Sequence, residues 1–294
     1  MNIYDWIKEN CASLKGKRVA VSGSTGGLGK ELCNYLAHLG ADLILMDRNE
    51  NKVSALEKEL LSTFGEVNIN KIKLDLSDMG LVKSAVSELK VLSPDIIILN
   101  AGAYSIPRHK CDTGLDNVFQ INFASPYYIV KKLLPILREN GGKVVAVGSI
   151  AHNYSRLDLT DLDFSSRNKA SLVYGNTKRF LMFSLFELFK NEKSASLSVV
   201  HPGITFTGIT AHYPKIIFAL IKRPMKIIFM KPKKAALSIL KGVFDNTYYH
   251  HWIGPEFFNI WGKPKKQKLK TCSKKESNEI FTKAENIYKS IKGD

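Results

Sequence analysis

A short apolar run that ends in a cluster of glycines constrains the fold of this 294-residue chain more than any other feature. Residues 19–21 are apolar, Gly23, Gly27 and Gly29 follow, and residues 30–39 place apolar side chains at helical spacing. A strand, a tight turn and a helix in this order direct backbone N–H groups and the helix N-terminus toward a phosphate. Glycine is required where the chain bends with positive φ and where a ligand approaches the backbone. Turns that bind no ligand share this pattern, so the rest of the chain must show whether this turn binds a phosphate.

Short apolar runs alternate with amphipathic stretches as far as residue 200. We predict strands at 18–22, 42–46, 70–74, 95–99, 143–148 and 196–200, and helices at 27–39, 50–63, 79–90, 115–138 and 172–190. Several of the strands are continuously apolar, which indicates a sheet covered on both faces. We therefore predict an α/β fold with a single doubly wound, Rossmann-like parallel sheet and helices on both faces. Ligands of such sheets bind outside the carboxyl ends of the strands.

The pattern is less regular in the last third of the chain. We predict a short helix within 1–16, a helix at 232–244, a last strand at 248–253 and a mobile lysine-rich segment at 263–275. No linker divides the chain, so we expect one domain over residues 1–262, with a substrate lid at about 150–173 and 205–231. Residues 263–294 are expected to form a lysine-rich tail or helix.

Positive charge is concentrated near the C-terminus. The formal net charge is +16, and residues 214–235 and 261–294 contribute +7 and +6 of it. Solvated lysines explain this pattern, but so would an anionic substrate tail, an anionic membrane surface or nucleic acid. Nucleic acid is the least favoured partner because no nucleic-acid motif accompanies the charge.

The remaining composition is that of an ordinary globular protein, with 45% hydrophobic and 24% charged residues. No uncharged apolar run approaches the roughly 20 residues that span a bilayer, and the N-terminus lacks a signal core. We expect a cytoplasmic protein, with peripheral membrane association left open. Cys11, Cys33, Cys111 and Cys272 are scattered, which predicts free thiols and no structural metal.

Asp47 and Arg48 bear on cofactor choice. Asp47 ends the second predicted strand, 24 residues after Gly23. A carboxylate there accepts hydrogen bonds from an adenosine ribose and repels a 2′-phosphate, which favours NAD(H). Arg48 could instead bind that phosphate, so NADP(H) stays open. A helix-capping aspartate beside a solvated arginine is the alternative without a ligand.

Further polar residues end other strands at the same sheet edge. Asp75-Leu76 closes the third strand and Asn100-Ala101-Gly102 the fourth. Each is a weak signal alone, but together with the glycine turn they would line one crevice.

Ser149, Tyr174 and Lys178 form the strongest candidate for chemistry. Tyr174 and Lys178 are four residues apart, so they share a helix face. A tyrosine pKa near ~10 is too high for easy proton exchange at neutral pH, and a nearby cation lowers it. Ser149 ends the fifth strand, where its hydroxyl can bind a substrate oxygen.

These motifs occur in a known order over about residues 15–210. They are Ser22, Gly23, Gly27, Gly29, Asp75, Asn100, Ala101, Gly102, Asn122, Ser149, Tyr174, Lys178, Pro202 and Gly203. The set resembles the short-chain dehydrogenase/reductase family, classical type, which implies a nicotinamide cofactor. The implied cofactor-binding residues are Gly23, Ser24, Thr25, Gly27, Leu28, Gly29, Asp47, Arg48, Asp75, Leu76, Asn100, Ala101, Gly102, Tyr174, Lys178, Pro202, Gly203 and Thr207.

The resemblance also implies a role for each catalytic residue. Tyr174 is the implied general acid/base, and Lys178 holds the nicotinamide ribose and tunes Tyr174. Ser149 orients the carbonyl or hydroxyl, Asn122 supports a water-mediated proton relay to Lys178, and Thr207 contacts the carboxamide. The implied reaction interconverts an alcohol and a ketone or aldehyde.

The spacing from Ser149 to Tyr174 is 25 residues, which is long for the classical type. Together with the Ser149-Ile150-Ala151-His152 sequence, it resembles the retinol-dehydrogenase-like branch. Gly148 and Asp47 depart from that branch, which puts retinoid activity and NADP(H) use in question. His152 and His201 are expected to be structural.

The apolar residues of segment 205–231 favour a hydrophobic substrate, and its lysines could bind an anionic tail. The family often forms homodimers or tetramers through the helices at about 115–138 and 172–190, where the basic tail could interfere. Two other functions stay open: a catalytically weak NAD(P)-binding regulator, and binding of a membrane surface or nucleic acid through the basic C-terminal third.

Overall fold

The computed structural model describes residues 2–205 and 230–292. The helices are α1 (Ile3–Asn10), α2 (Gly27–His38), α3 (Glu50–Phe64), α4 (Met79–Leu92), α5 (Asn117–Phe119), α6 (Ser125–Glu139), α7 (Ala170–Leu188), α8 (Pro232–Phe244) and α9 (Lys274–Lys292). The strands are β1 (Arg18–Ser22), β2 (Asp42–Asp47), β3 (Ile69–Lys73), β4 (Ile96–Leu99), β5 (Lys143–Val147), β6 (Ser196–Val200), β7 (His251–Phe257) and β8 (Trp261–Lys268). A π-helical turn at Gln120–Ala124 joins α5 to α6, and Ile150–Tyr154 form a 3₁₀ turn.

The described strands form one sheet in the order β3-β2-β1-β4-β5-β6-β7-β8. The pairs from β3 to β7 are parallel, and β8 is antiparallel to β7. The strand order reverses between β1 and β4, where a crevice opens at the carboxyl ends. This topology confirms the predicted doubly wound sheet.

Alternate residues of β1 show how both faces of the sheet are buried. Val19 and Val21 pack with apolar residues of α1, α2, α3 and α8, whereas Ala20 packs with those of α4, α6, α7 and α9. Successive side chains of a strand point to opposite faces, so each strand contributes to two cores. The two helical layers hold the carboxyl ends of the strands in place around the crevice.

The C-terminal region differs from the prediction. The strand expected at 248–253 is β7 and begins later, and it is not the last strand. Residues 263–275, expected to be mobile, include most of β8, which pairs with β7 through Gly254–Lys265 and Pro255–Pro264. That expectation was wrong because β8 lies at a sheet edge, where exposed lysines hide the apolar signal of a strand and protect the edge from aggregation.

Helix α9 lies against the helices that flank the crevice. Ile280 and Ala284 are buried in the same core as α6 and α7. Glu285 accepts hydrogen bonds from the Tyr127 hydroxyl at 2.5 Å and from the Lys131 ammonium at 3.0 Å. A homodimer or tetramer through α6 and α7 stays a prediction, and it would have to accommodate this helix. The predicted boundary before residue 263 falls inside β8.

Candidate active site

The glycine turn after β1 has the geometry that its sequence predicts. Gly23 has a φ of +64°, in the region that favours glycine. A Cβ atom at Gly29 would lie 2.1 Å from the Gly23 carbonyl oxygen, so the first turn of α2 can approach the strand only without a side chain. The close approach brings the N-terminus of α2 to the crevice, where its N–H groups favour an anion.

Asn100 and Ser22 hold this turn against β4. The Asn100 side-chain amide donates to the carbonyl oxygens of Ser22 (3.0 Å) and Gly23 (3.1 Å). The Ser22 hydroxyl accepts hydrogen bonds from the backbone N–H of Asn100 and of Ala101. The sequence predicted Asn100 only as part of the crevice wall. The structure shows that it also fixes the conformation of the glycine turn.

A cavity of about 440 Å³ lies at the carboxyl ends of the strands. Predicted cofactor residues that line it are Gly23, Thr25, Gly27, Leu28, Gly29, Asp47, Arg48, Asp75, Leu76, Asn100, Ala101 and Gly102. Residues that the sequence did not single out also line it, namely Gly26, Asn49, Lys52, Leu74, Ala103, Ile106 and Ile121.

Other predicted cofactor residues lie outside this lining. Ser24 is fully buried, and Pro202 and Gly203 are buried after the end of β6. Tyr174 and Lys178 lie on α7. Thr207 lies outside the described residues, as does most of the predicted lid segment 205–231.

Charges of both signs meet at the end of the cavity formed by β2 and α3. One Asp47 carboxylate oxygen accepts hydrogen bonds from the Thr25 hydroxyl (2.7 Å) and backbone N–H (3.1 Å). Arg48 and Lys52 are exposed and line the same part of the wall. Asp47 therefore links β2 to the glycine turn, and the cationic side chains of Arg48 and Lys52 line the same cavity.

Lys178 lies against the other side of the crevice. The residue is 2% exposed, and its ammonium group donates to the Val147 carbonyl oxygen at 2.8 Å. A Cβ atom at Gly102, on the cavity wall, would be 3.7 Å from Lys178 Nζ. Burial lowers the pKa of Lys178 to about 8. Lys178 is therefore adjacent to the cavity, and it loses its proton at a lower pH than a solvent-exposed lysine does.

Tyr174 and Ser149 are brought together as predicted. Burial raises the pKa of Tyr174 to about 12, and its hydrogen bond with the Ser149 hydroxyl opposes this shift. Lys178 Nζ lies 5.7 Å from the centre of the Tyr174 ring. The direction of this pKa shift is opposite to the one that the sequence predicts from a nearby cation, because burial is its largest cause. Tyr104, which no motif of the sequence marks, packs edge-on against Tyr174 with 5.3 Å between ring centres.

Asn122 lies in the π-helical turn, a feature that often marks functional sites. Its side-chain amide donates to the carbonyl oxygens of Ala103 (2.8 Å) and Val118 (2.9 Å), and its Oδ1 accepts from the Ala103 N–H. Asn122 therefore holds the loop after β4 beside Lys178. Its role in a proton relay stays a prediction.

His152 and His201 are buried and hydrogen-bonded. His152 contacts the Ser149 carbonyl oxygen through Nδ1 and the Thr271 hydroxyl through Nε2. His201 contacts the Asn259 carbonyl oxygen and stacks on Trp252. Burial lowers the pKa of His152 to about 4 and that of His201 to about 3. Both rings are neutral at physiological pH, as structural histidines would be.

These lowered pKa values predict a loss of stability in acid. Between pH 6.5 and about 4 the unfolded chain protonates His152 while the folded protein does not, so stability falls as the pH falls through this window. His152→Gln should make the free energy of unfolding less pH-dependent, by up to about 1.4 kcal/mol per pH unit. Urea unfolding across the window measures this slope. The same substitution at the exposed His38 serves as the control. An unchanged pH slope of the unfolding free energy in His152→Gln would contradict the assignment of His152 as a buried, neutral histidine.

The cysteines, possible metal ligands and helix lengths of the described residues complete the description. The four cysteines are free thiols, and Cys33 is buried. Among residues 2–205 and 230–292, no group of three or more His, Cys, Asp or Glu side chains could hold a metal ion. Within these same ranges, no helix is both long and apolar enough to cross a bilayer.

Comparison with known sequences agrees with this geometry. Residues 17–160 match the family described as short chain dehydrogenase. Human retinol dehydrogenase 11 is 30% identical over 206 residues, which cover 68% of this chain and 64% of that protein. Human polyprenol dehydrogenase is 29% identical over 66% of this chain and 63% of that protein. An uncharacterised oxidoreductase of Schizosaccharomyces pombe is 27% identical over 82% of this chain and 76% of that protein.

Solved structures with the same fold are also known. An uncharacterised protein from Mycobacterium paratuberculosis superposes with a TM-score of 0.71 at 20% identity, over 96% of this chain and 95% of that one. A 3-oxoacyl (acyl-carrier-protein) reductase from Agrobacterium tumefaciens with NADP bound has a TM-score of 0.60 at 19% identity, over 79% and 88% of the two chains.

These findings confirm the resemblance to the short-chain dehydrogenase family and to its retinol-dehydrogenase-like branch that the sequence predicts. The names of these relatives agree with the predicted class, an NAD(P)-dependent oxidoreductase. The chain spans slightly less than two thirds of human retinol dehydrogenase 11 and of human polyprenol dehydrogenase.

Proposed function

We propose that this protein uses a nicotinamide cofactor to interconvert a hydrophobic alcohol and its aldehyde or ketone. The observation that carries the proposal is the pairing of Ser149 with Tyr174, beside Lys178, next to the cavity of the glycine turn. When bound, the cofactor supplies or accepts the hydride. The protein supplies the position of the substrate and the movement of a proton.

The cavity residues fit such a cofactor. The glycine turn leaves no room for a side chain at Gly29, and the N-terminus of α2 faces the cavity, which suits a pyrophosphate. Asp47, Arg48 and Lys52 would meet the adenosine end. Lys178, behind Gly102, would meet the nicotinamide ribose.

Tyr174 is the proposed general acid and base. Its raised pKa keeps the phenol protonated at neutral pH, ready to donate to a carbonyl oxygen during reduction. The Ser149 hydroxyl, hydrogen-bonded to Tyr174, would hold that oxygen. In the oxidative direction a phenolate is needed, and the ammonium of Lys178 is the cation that would stabilise it.

Asp47 and Arg48 are proposed to set cofactor preference, with NAD(H) favoured through Asp47 and NADP(H) admitted through Arg48. Asp47→Asn keeps an oxygen acceptor for Thr25 but removes the charge, so the ratio of NADPH to NADH affinity should rise by about tenfold. Arg48→Ala should lower the same ratio. Fluorescence titrations with each cofactor measure both. An unchanged ratio in both variants would contradict the proposal and direct attention to Lys52.

The proposed substrate is a hydrophobic alcohol or carbonyl compound, as the names of the retinol and polyprenol dehydrogenases suggest. The substrate would be covered by the loop 103–116 and by residues 155–169, the insert between the 3₁₀ turn and α7. Phe164 is buried with Val118 and Val173, and Arg108 donates to the Phe164 carbonyl oxygen at 2.8 Å. The insert is thus joined to the loop after β4, at the open end of the crevice.

The experiment that tests the activity begins with separate titrations of NADH and NADPH. The better cofactor is then offered with retinal, a polyprenal and medium-chain aldehydes, with and without an anionic tail. Oxidation of the cofactor in the presence of any of these aldehydes would support the proposed enzymatic activity. Tight cofactor binding without turnover across the set would support the regulatory alternative.

We also propose that the β7–β8 hairpin lies at an anionic membrane surface. Its tip exposes Phe257 (57%), Phe258 (84%) and Trp261 (39%). Exposed lysines follow along β8 and after it, at Lys263, Lys265, Lys268 and Lys270. Aromatic side chains favour the interface between lipid and water, and lysines favour anionic headgroups.

Sedimentation with liposomes tests this surface. The protein should sediment with vesicles containing phosphatidylserine at low salt, less at high salt, and little with vesicles of phosphatidylcholine alone. Phe257→Ser with Phe258→Ser should weaken the association. Binding to RNA or DNA but not to anionic vesicles would assign the basic surface to nucleic acid instead.

A further inference from the structure

Arg179 on α7 connects the catalytic helix to the C-terminal part of the chain. The side chain is completely buried. Its Nε and Nη2 donate to the two carboxylate oxygens of Glu276 at 2.7 and 2.6 Å. Nη2 also donates to the Thr271 carbonyl oxygen at 2.8 Å, and Nη1 to that of His152 at 3.1 Å. The guanidinium thus joins α7, the segment before α9 and the turn that follows Ser149.

His152 makes a second connection between the same segments. The Ser149 carbonyl oxygen can only accept, so His152 Nδ1, 2.6 Å away, carries the proton. Because the ring is neutral, Nε2 accepts the hydrogen bond of the Thr271 hydroxyl at 2.7 Å. The Ser149 carbonyl oxygen therefore fixes the tautomer of His152, and the Thr271 hydroxyl, as the donor to Nε2, holds the ring in position to donate to the backbone of Ser149.

The 3₁₀ turn after Ser149 is also held by α7. A Cβ atom at Gly175 would lie 2.3 Å from the Ala151 carbonyl oxygen, so the turn and the helix are in close contact. Glu276 accepts a further hydrogen bond, at 3.1 Å, from the backbone N–H of Leu157 at the start of the insert. A displacement of residues 271–276 would therefore also displace the 3₁₀ turn after Ser149 and the insert.

We propose that Thr271 and Glu276 are positioning residues, which hold the Ser149 hydroxyl in register with Tyr174 through His152 and Arg179. The inference rests on the proposed function and extends it to the C-terminal segment. A buried ion pair alone is weak evidence for stability. The evidence specific to a positioning role is the chain of hydrogen bonds from Thr271 through His152 to the backbone of Ser149.

Paired substitutions at Thr271 separate positioning from general stability. Thr271→Val keeps the shape but removes the hydroxyl, whereas Thr271→Ser keeps the hydroxyl. Thr271→Val and Glu276→Gln should lower kcat by about 10- to 100-fold through displacement of a catalytic group. The dissociation constant of the cofactor should not change. Thr271→Ser should keep kcat within about twofold of the wild type.

Glu285→Gln is the matched control, because Glu285 also anchors α9 through a charged side chain but contacts α6 and not the turn at Ser149. It should lower the melting temperature and leave kcat unchanged. Wild-type kcat in Thr271→Val, or equal losses of kcat in Glu285→Gln and Glu276→Gln, would overturn the proposal.

Hydrogen exchange of residues 149–155 keeps the test independent of turnover. Exchange there should rise in Thr271→Val but not in Thr271→Ser or Glu285→Gln. If the wild type turns over no substrate while this pattern is seen, the proposed function fails and the connection to Ser149 stands. If exchange at 149–155 is the same in Thr271→Val and the wild type, the connection itself is refuted.

Discussion

Replacement of Tyr174 by phenylalanine is expected to lower turnover by about 100- to 10,000-fold, the usual contribution of a general acid. The substitution removes one hydroxyl and keeps the ring that packs against Tyr104. Cofactor binding should remain close to that of the wild type, because Tyr174 does not line the cavity of the glycine turn. Steady-state rates with the best substrate and cofactor titration by fluorescence measure the two effects.

Tyr154→Phe is the control for this variant. Tyr154 ends the 3₁₀ turn after Ser149, and its side chain is 54% exposed. The loss of its hydroxyl should leave turnover within about twofold of the wild type, as expected for a surface change. If Tyr174→Phe behaves like Tyr154→Phe, proton transfer must be assigned to another group.

Replacement of Gly29 by alanine is expected to disrupt the cofactor site through the backbone. The new Cβ atom would lie 2.1 Å from the Gly23 carbonyl oxygen, and it also crowds the backbone of Ser24. Because these are backbone atoms, α2 must move away from β1. We expect a loss of about 1–3 kcal/mol in the free energy of unfolding, typical of overpacking, and loss of cofactor binding. Urea unfolding and cofactor titration measure them.

Gly26→Ala tests cofactor binding at the cavity separately from the stability of the fold. Within 4 Å, a Cβ atom at Gly26 would meet only the Gly23 carbonyl oxygen, at 3.3 Å, and Gly26 lines the cavity. The free energy of unfolding of this variant should fall by about 1 kcal/mol or less, which is the effect of alanine at a helix N-cap. The variant should nevertheless bind the cofactor more weakly than the wild type. Equal cofactor affinity in wild type, Gly26→Ala and Gly29→Ala would show that the cofactor does not bind at this turn.

The features that could be predicted from the sequence have local causes. The apolar run of β1 and the spacing of α8 gave bounds that agree with the structure, at Arg18–Ser22 and Pro232–Phe244. The i, i+4 spacing placed Tyr174 and Lys178 on one side of α7. Parallel strands bring their carboxyl ends to one edge, so the glycine turn and Asn100 could be expected to meet.

Other features depend on contacts that leave no local pattern. Arg179 and Glu276 are 97 residues apart, and only the fold brings them together. Nothing local in the sequence marks Arg179 as buried or identifies its partner. The pKa of Tyr174 depends on how deeply the fold buries the phenol, which raises the pKa and which the sequence does not show. The lysines of β8 concealed an edge strand.

Direct detection of hydride transfer tests the central claim most sharply. The protein is incubated with a hydrophobic aldehyde and NADH or NADPH that carries deuterium at both positions of nicotinamide C4, and the alcohol is analysed by mass spectrometry. The proposed function predicts an alcohol with a single deuterium on the former carbonyl carbon, formed about 100- to 10,000-fold faster by the wild type than by Tyr174→Phe. An alcohol without deuterium, or equal product from Tyr174→Phe, would contradict it.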